Sequence, residues 1–89
     1  MKFSLSHSRA TVGHDIGVSV DGEGKEISTV KTVLDSIPLA NDTVNADTYQ
    51  RSFHQVGVGG PFEDHTLVVT ASGSDGSIHS SQARWTDPA

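Results

Sequence analysis

The sequence predicts a small all-β protein, an antiparallel sandwich of about seven strands. Three observations lead to this fold class. Short stretches with alternating apolar and polar residues recur along the chain, turn signals separate them at roughly ten-residue spacing, and the stretches are rich in Val, Ile, Leu and Thr. No stretch favours a helix, because the apolar residues follow a period of two.

The clearest element is a hairpin within residues 65–85, HTLVVTASGSDGSIHSSQARW. Side chains alternate between the two faces of a strand. One face of the first strand therefore carries its core residues, Leu67, Val69 and Ala71, and the second strand offers Ala83 and Trp85 to the same core.

The number of residues in the loop, odd or even, decides which side chains of this hairpin share a face. A two-residue turn would place Leu67 opposite Arg84, and a slip of one residue turns every side chain of a strand to the other face. A three-residue loop, 74–76, places Leu67 opposite Ala83 instead. We therefore predict this loop, with Gly76 in the left-handed conformation of a type I turn plus bulge. The same register pairs His65 with Trp85, Val69 with Ser81 and His79 with Ala71.

The other predicted strands cover residues 2–6, 15–20, 27–34, 37–40 and 48–56. Loops are predicted at 21–25, at Asp35-Ser36, at 41–47 and at 57–64, where Gly, Asp and Asn concentrate. Pro38 requires an edge or irregular position, because it cannot donate a hydrogen bond to a neighbouring strand. Arg51 shares a face with Tyr49 and Phe53, so either its stem packs while its head reaches solvent, or a bulge turns it outward.

Length and charge limit what the chain can be. Its 89 residues suit one domain, divided into an edge strand and arm at 1–14, a sandwich core at 15–86 and a tail at 87–89. Six basic and eleven acidic residues give a formal charge of −5, which argues against nucleic acid and anionic membranes as partners. The sequence has no cysteine, so neither disulfides nor thiolate chemistry are expected.

The N-terminal segment does not reveal the compartment. Phe3 and Leu5 are its only bulky apolar residues among the first eleven, so no hydrophobic region of signal-peptide length follows Met1. Met1 is either the native start of a small cytosolic protein or an addition to a domain cut from a larger secreted chain. Both alternatives stay open.

Three segments, LDSIPLANDT, YQRSF and GGPFEDHTLVVTASGSDGSIHSSQARW, resemble bacterial immunoglobulin-like domains of the Big or fibronectin-III-like type. The resemblance covers roughly residues 15–86. Its best parts are a Leu34-Asp35 turn, an aromatic-x-x-x-Phe strand and a final hairpin that begins with His65-Thr66-Leu67. The sequence departs from the pattern at Ser36, where Gly is usual, and within Gly73-Ser74-Asp75.

The resemblance implies an immunoglobulin-like sandwich without catalytic residues or cofactors. Such modules serve as spacers, adhesion units or accessory domains. The sequence itself also favours a non-enzymatic function, because it contains no G-x-S-x-G elbow and no H-x-H or H-E-x-x-H zinc motif.

Candidate binding residues lie in the predicted loops. Phe62 is the one loop aromatic that could contact a ligand, and Asp42 and Asp47 could contact a partner. Calcium prefers oxygen ligands in loops, so a calcium hypothesis involves Asp21 and Glu23 in one loop and Asp35, Asp42 and Asp47 around another.

The leading interpretation is a spacer or protein-binding module. A carbohydrate-binding accessory domain is the first alternative, although it requires exposed aromatics on a flat face. The second is a small protein that assembles through unpaired edge strands, at residues 2–6 or 37–40.

Overall fold

Two antiparallel sheets packed face to face make up the structure, a computed structural model that describes residues 1–9, 13–56 and 64–86. Its strands are β1 Lys2–Arg9, β2 His14–Asp21, β3 Ile27–Leu34, β4 Ile37–Ala46, β5 Thr48–Val56, β6 Asp64–Gly73 and β7 Ile78–Thr86. The predicted all-β sandwich is therefore confirmed. None of the described residues is helical, and so none belongs to a helix that could cross a membrane.

The strand orders are β1-β2-β5 in one sheet and β4-β3-β6-β7 in the other. Consecutive strands pair as hairpins at β1–β2, β3–β4 and β6–β7. The chain changes sheet after β2, β4 and β5. These crossings bring residues that are far apart in sequence to the same part of the sandwich.

The core lies between the sheets and comes from the three central strands. Alternate residues of β2, β3 and β6 are buried, because their side chains point into the sandwich, and the apolar ones among them are at most 1% exposed. The buried apolar residues are Ile16, Val18, Val20, Ile27, Val30, Leu34, Leu67, Val69 and Ala71. A register shift between Ile27 and Thr29 turns Ile27 to the same side as Val30 despite their odd spacing.

The predicted register of the final hairpin is confirmed. Leu67 lies opposite Ala83, and His65 lies opposite Trp85. The loop has three residues between Gly73 and Ser77, whose backbones are joined by a 2.8 Å hydrogen bond from Gly73 N to Ser77 O. Gly76 has φ 87°, which glycine adopts without a steric penalty.

Strands β3 and β5 have the predicted bounds, whereas β1 and β2 are longer than predicted. β1 continues to Arg9 and pairs with β2 along its whole length. The predicted edge positions are also confirmed, since β1 and β4 are outer strands of their sheets. The predicted crossing at 57–64 lies outside the described residues except for Asp64, which begins β6.

The predicted loop at 41–47 is wrong, because β4 continues through Ala46 and pairs with β3. Asn and Asp favour loops when their side chains bond to their own backbone. Here the Asp42 carboxylate bonds to Tyr49 and Arg51 instead. Asn45 keeps a turn-like φ of 52° inside the strand, a conformation that Asn tolerates better than most residues.

One polar group in the core is poorly accommodated. Thr32 is 0% exposed, and its Oγ1 has no hydrogen-bond partner in the described part of the chain. Thr32 lies opposite Ala40 and Val69, so its surroundings are apolar. A buried hydroxyl without a partner loses its hydration without compensation.

We predict that Thr32→Val raises the free energy of unfolding by about 1 kcal/mol, because it removes the unpaired hydroxyl at nearly constant shape. Denaturant unfolding followed by circular dichroism measures this change. Thr70→Val on the outer side of β6 is the matched control, and we expect a change within about 0.5 kcal/mol. A destabilised Thr32→Val protein would contradict this account of the core.

Candidate functional site

Asp35 fixes the end of β3 to the start of β6. It sits with Ser36 in a two-residue turn in which both residues have positive φ, 50° and 67°. Asp35 N donates to Thr66 O at 3.0 Å, Thr66 N donates to Asp35 Oδ1 at 2.8 Å, and His65 Nδ1 lies 2.6 Å from Asp35 Oδ2. An ionised carboxylate only accepts, so His65 donates from Nδ1. Asp35 thus compensates the backbone strain of its own turn.

Four aromatic rings join the two sheets beside this turn. His65 is 1% exposed and His14 is 4% exposed, and their ring centroids are 5.5 Å apart. Trp85 lies 5.5 Å from His65 and 5.9 Å from His14. His7 stacks on Trp85 at 4.0 Å with 13° between the ring planes. The rings come from β1 and β2 of one sheet and from β6 and β7 of the other. We call His7, His14, His65 and Trp85 the ring cluster.

Shallow depressions surround Asp64 at the same end of the sandwich. One is lined by Val33, Asp35, Ser36, Asp64, Thr66 and Val68, and another by Asp64, His65, Arg84, Trp85 and Thr86. Asp64 Oδ1 accepts a hydrogen bond from Thr86 Oγ1. The surface therefore combines valine side chains with exposed carboxylate and guanidinium groups, a composition suited to protein contacts.

Asp42 belongs to a polar cluster between the two sheets at the opposite lateral edge. Tyr49 Oη donates to Asp42 Oδ2 at 2.5 Å, and Arg51 Nη1 donates to both Asp42 oxygens at 2.8 and 2.7 Å. The Arg51 guanidinium lies 4.8 Å from the Phe53 ring centroid. No bulge turns Arg51 outward. Its side chain shares the core-facing side of β5 with Tyr49 and Phe53, and its guanidinium head stays partly exposed, which is the first of the two predicted alternatives.

Hydrogen bonding and burial change the acidity of this cluster. The bond from Tyr49, then the one from Arg51, hold the pKa of Asp42 below its ordinary value. Burial first, and the bond to Asp42 second, raise the pKa of Tyr49 to about 12. Asp42, predicted to contact a partner, links β4 to β5 in the structure.

The other predicted site residues are dispersed. Asp47 is exposed in the bend between β4 and β5, where its carbonyl accepts from Gly22 N at 2.7 Å. Asp21 and Glu23 are neighbours: Glu23 N donates to Asp21 Oδ1 at 2.8 Å, and the Glu23 carboxylate lies 3.3 Å from the Met1 amine. Phe62 lies outside the described residues.

The proposed calcium ligands do not converge. Asp35 follows the last residue of β3, whereas Asp21 and Glu23 precede its first residue. Eight extended residues separate the two groups by roughly 26 Å. A metal-binding group of three or more His, Cys, Asp or Glu side chains is not found in the part of the chain that the structure describes.

Sequence reasoning missed the ring cluster and the Asp35 contact. His65 and Asp35 are 30 residues apart, and His14 reaches His65 only because the two sheets face each other. The pattern of a single strand carries no signal for such contacts. The one available clue was the predicted pairing of His65 with Trp85.

Comparison of the chain with family models, curated proteins and solved structures finds no match.

We predict opposite effects for glycine at the two turn positions. Ser36→Gly removes the positive-φ strain, so we expect a stability equal to wild type or higher by up to about 1 kcal/mol. Asp35→Gly relieves the same strain but leaves Thr66 N and the buried His65 Nδ1 without their acceptor, so we expect a loss of about 2 kcal/mol or more. Thermal and denaturant unfolding measure both. Equal stability of the two variants would show that the Asp35 carboxylate contributes nothing.

We predict that Tyr49 titrates near pH 12, and absorbance at 295 nm reports it cleanly because the chain has one tyrosine. The folded pKa lies above the unfolded value of 10.0, so this contribution to stability is complete below pH 10 and is lost as pH rises through 12. Asp42→Asn should move the midpoint toward 10, while Asp47→Asn, which does not touch Tyr49, should leave it unchanged. A wild-type midpoint near 10 would contradict the described contact.

Proposed function

We propose that this chain is a non-catalytic, immunoglobulin-like module that acts as a spacer. The observation that carries the proposal is the path of the chain through the sandwich. β1 begins at the end that holds the β6–β7 turn, because Lys2 pairs with Asp21 before the β2–β3 loop and Ser74 N of the turn donates to Glu26 O of that loop. The Met1 amine pairs with Glu23 at the same end. β7 leaves at the opposite end, where Thr86 lies beside Asp64. The body between them measures 44 × 18 × 18 Å, so modules joined in series would extend along one axis.

The sheet arrangement supports the immunoglobulin-like part of the proposal. Three hairpins lie within the sheets of three and four strands, and three crossings connect one sheet to the other, as expected for sandwiches of this class. The Leu34-Asp35 turn and the final hairpin, which carry the sequence resemblance, both lie in the four-stranded sheet. Ser36, the departure from the motif, adopts the positive φ that favours glycine.

The polar clusters support a non-catalytic role. An Asp–His pair is part of a catalytic triad, but the His65 ring is 1% exposed and surrounded by other rings. The ring is therefore shielded from solvent rather than presented to a substrate. In the Asp42 cluster, both carboxylate oxygens already accept hydrogen bonds that join the sheets.

Protein binding is a second candidate function, favoured by the surface around Asp64. Its mixture of Val33, Val68, Asp64 and Arg84 lies on paired strands that hold it in place. The described aromatic residues, in contrast, pack against the core. They do not form the flat exposed platform that the carbohydrate-binding alternative requires.

A head-to-tail tandem of two full chains tests the spacer proposal. We expect small-angle scattering to give a maximum dimension close to twice the 44 Å long axis. A second tandem with a long Gly/Ser linker is the control, because its modules would sample bent arrangements. A direct tandem no longer than one module, with the copies folded side by side, would overturn the proposal.

A further inference from the structure

The four-stranded sheet has two outer strands that differ in how well they could accept another strand. An outer strand presents backbone N–H and C=O groups that are not used within its sheet, and proteins usually obstruct such edges. β4 and β7 occupy these positions in the order β4-β3-β6-β7.

The edge of β4 is obstructed in three ways. Pro38 lies opposite Val33, next to the Leu34–Ile37 pair that closes the two-residue turn. The pair that closes such a turn is hydrogen-bonded, so the next residue directs its backbone nitrogen away from β3, and proline removes that donor. A register shift follows between Thr32 and Val33, and Asn45 has positive φ. A straight ladder cannot form along this edge.

The edge of β7 has none of these obstructions. β7 pairs with β6 over nine residues without a register shift, and it contains no proline and no positive φ among its residues. The hydrogen bond from Gly73 N to Ser77 O makes this a hydrogen-bonded pair, and along the hairpin every second pair after it is hydrogen-bonded as well. Odd-numbered residues of β7 therefore bond to β6, and the backbone groups of Ile78, Ser80, Gln82 and Arg84 point away from it.

The first half of this edge is the accessible part. At the other half, β1 approaches β7 through the stacking of His7 on Trp85. In the segment 78–82, Ile78 is 73% exposed. The segment contains no Asp, Glu, Lys or Arg. Two copies with a formal charge of −5 each could meet here without opposing like charges.

We propose that the 78–82 edge of β7 pairs antiparallel with the same edge of a second copy of this chain. A two-fold axis at Ser80 places Ser80 of one copy opposite Ser80 of the other and Ile78 opposite Gln82. The outward backbone groups of these residues then bond to each other, and both Ile78 side chains lose exposed area. The two four-stranded sheets become one continuous sheet with an isologous interface.

Sedimentation equilibrium from about 10 µM to about 1 mM tests the pairing, because this concentration range detects weak association. We expect the wild-type mass to rise from 9.4 kDa toward twice that value. Ser80→Lys and Ser80→Asp should each weaken association about tenfold or more, since they bring like charges together. An equimolar mixture of the two variants should associate again.

Asn41→Lys and Asn41→Asp are the matched controls, because they make the same charge changes on exposed positions of β4, the other edge. They should leave association at the wild-type level. The pairing is wrong if wild type stays monomeric at the highest concentration, if the Ser80 variants associate like wild type, or if the Asn41 variants weaken association equally. Unchanged Trp85 fluorescence confirms that each variant is folded.

Hydrogen exchange gives a second, independent readout. The amides of Ser80 and Gln82 point away from β6, so they should exchange fast at low concentration and become protected as the concentration rises. The amides of His79 and Ser81 bond to β6 and should stay protected throughout. Protection of Ser80 and Gln82 that does not change with concentration would contradict the proposal.

Discussion

The register of β6 against β7 is the constraint on which the rest of the structure depends. β6 lies between β3 and β7 and contributes Leu67, Val69 and Ala71 to the core. Since side chains alternate with period two, a shift of one residue would expose all three. The three-residue loop with Gly76 at positive φ excludes that shift. The same register puts His65 beside Trp85 and leaves alternate backbone groups of β7 at the open edge.

At both lateral edges of the apolar core, clusters that contain polar side chains connect the two sheets. The ring cluster joins β1 and β2 to β6 and β7 on one side, and the Asp42 cluster joins β4 to β5 on the other. The Asp42 carboxylate accepts three hydrogen bonds, all from residues of β5. Histidine, aspartate and arginine therefore supply contacts between the two sheets.

The local sequence pattern predicts the strands and the final turn, because the alternation of apolar and polar residues and the preferences of turn residues act within a few positions. It failed at 41–47, where a contact from Asp42 to Tyr49 and Arg51 overrides the loop preference of Asn and Asp. It could not reveal the candidate site, since Asp35 meets His65 only after β3 and β6 pair. The separation of Asp21 from Asp35, in contrast, follows from the predicted strand between them, whose bounds the structure confirms.

Cross-strand nuclear Overhauser effects between Hα protons test the register most directly. In an antiparallel pair, these protons approach closely at the non-hydrogen-bonded positions. We expect Hα–Hα effects between Val68 and Gln82 and between Thr70 and Ser80. Effects that place Val69 opposite Gln82 would indicate a two-residue turn, and they would contradict the core, the ring cluster and the β7 edge together.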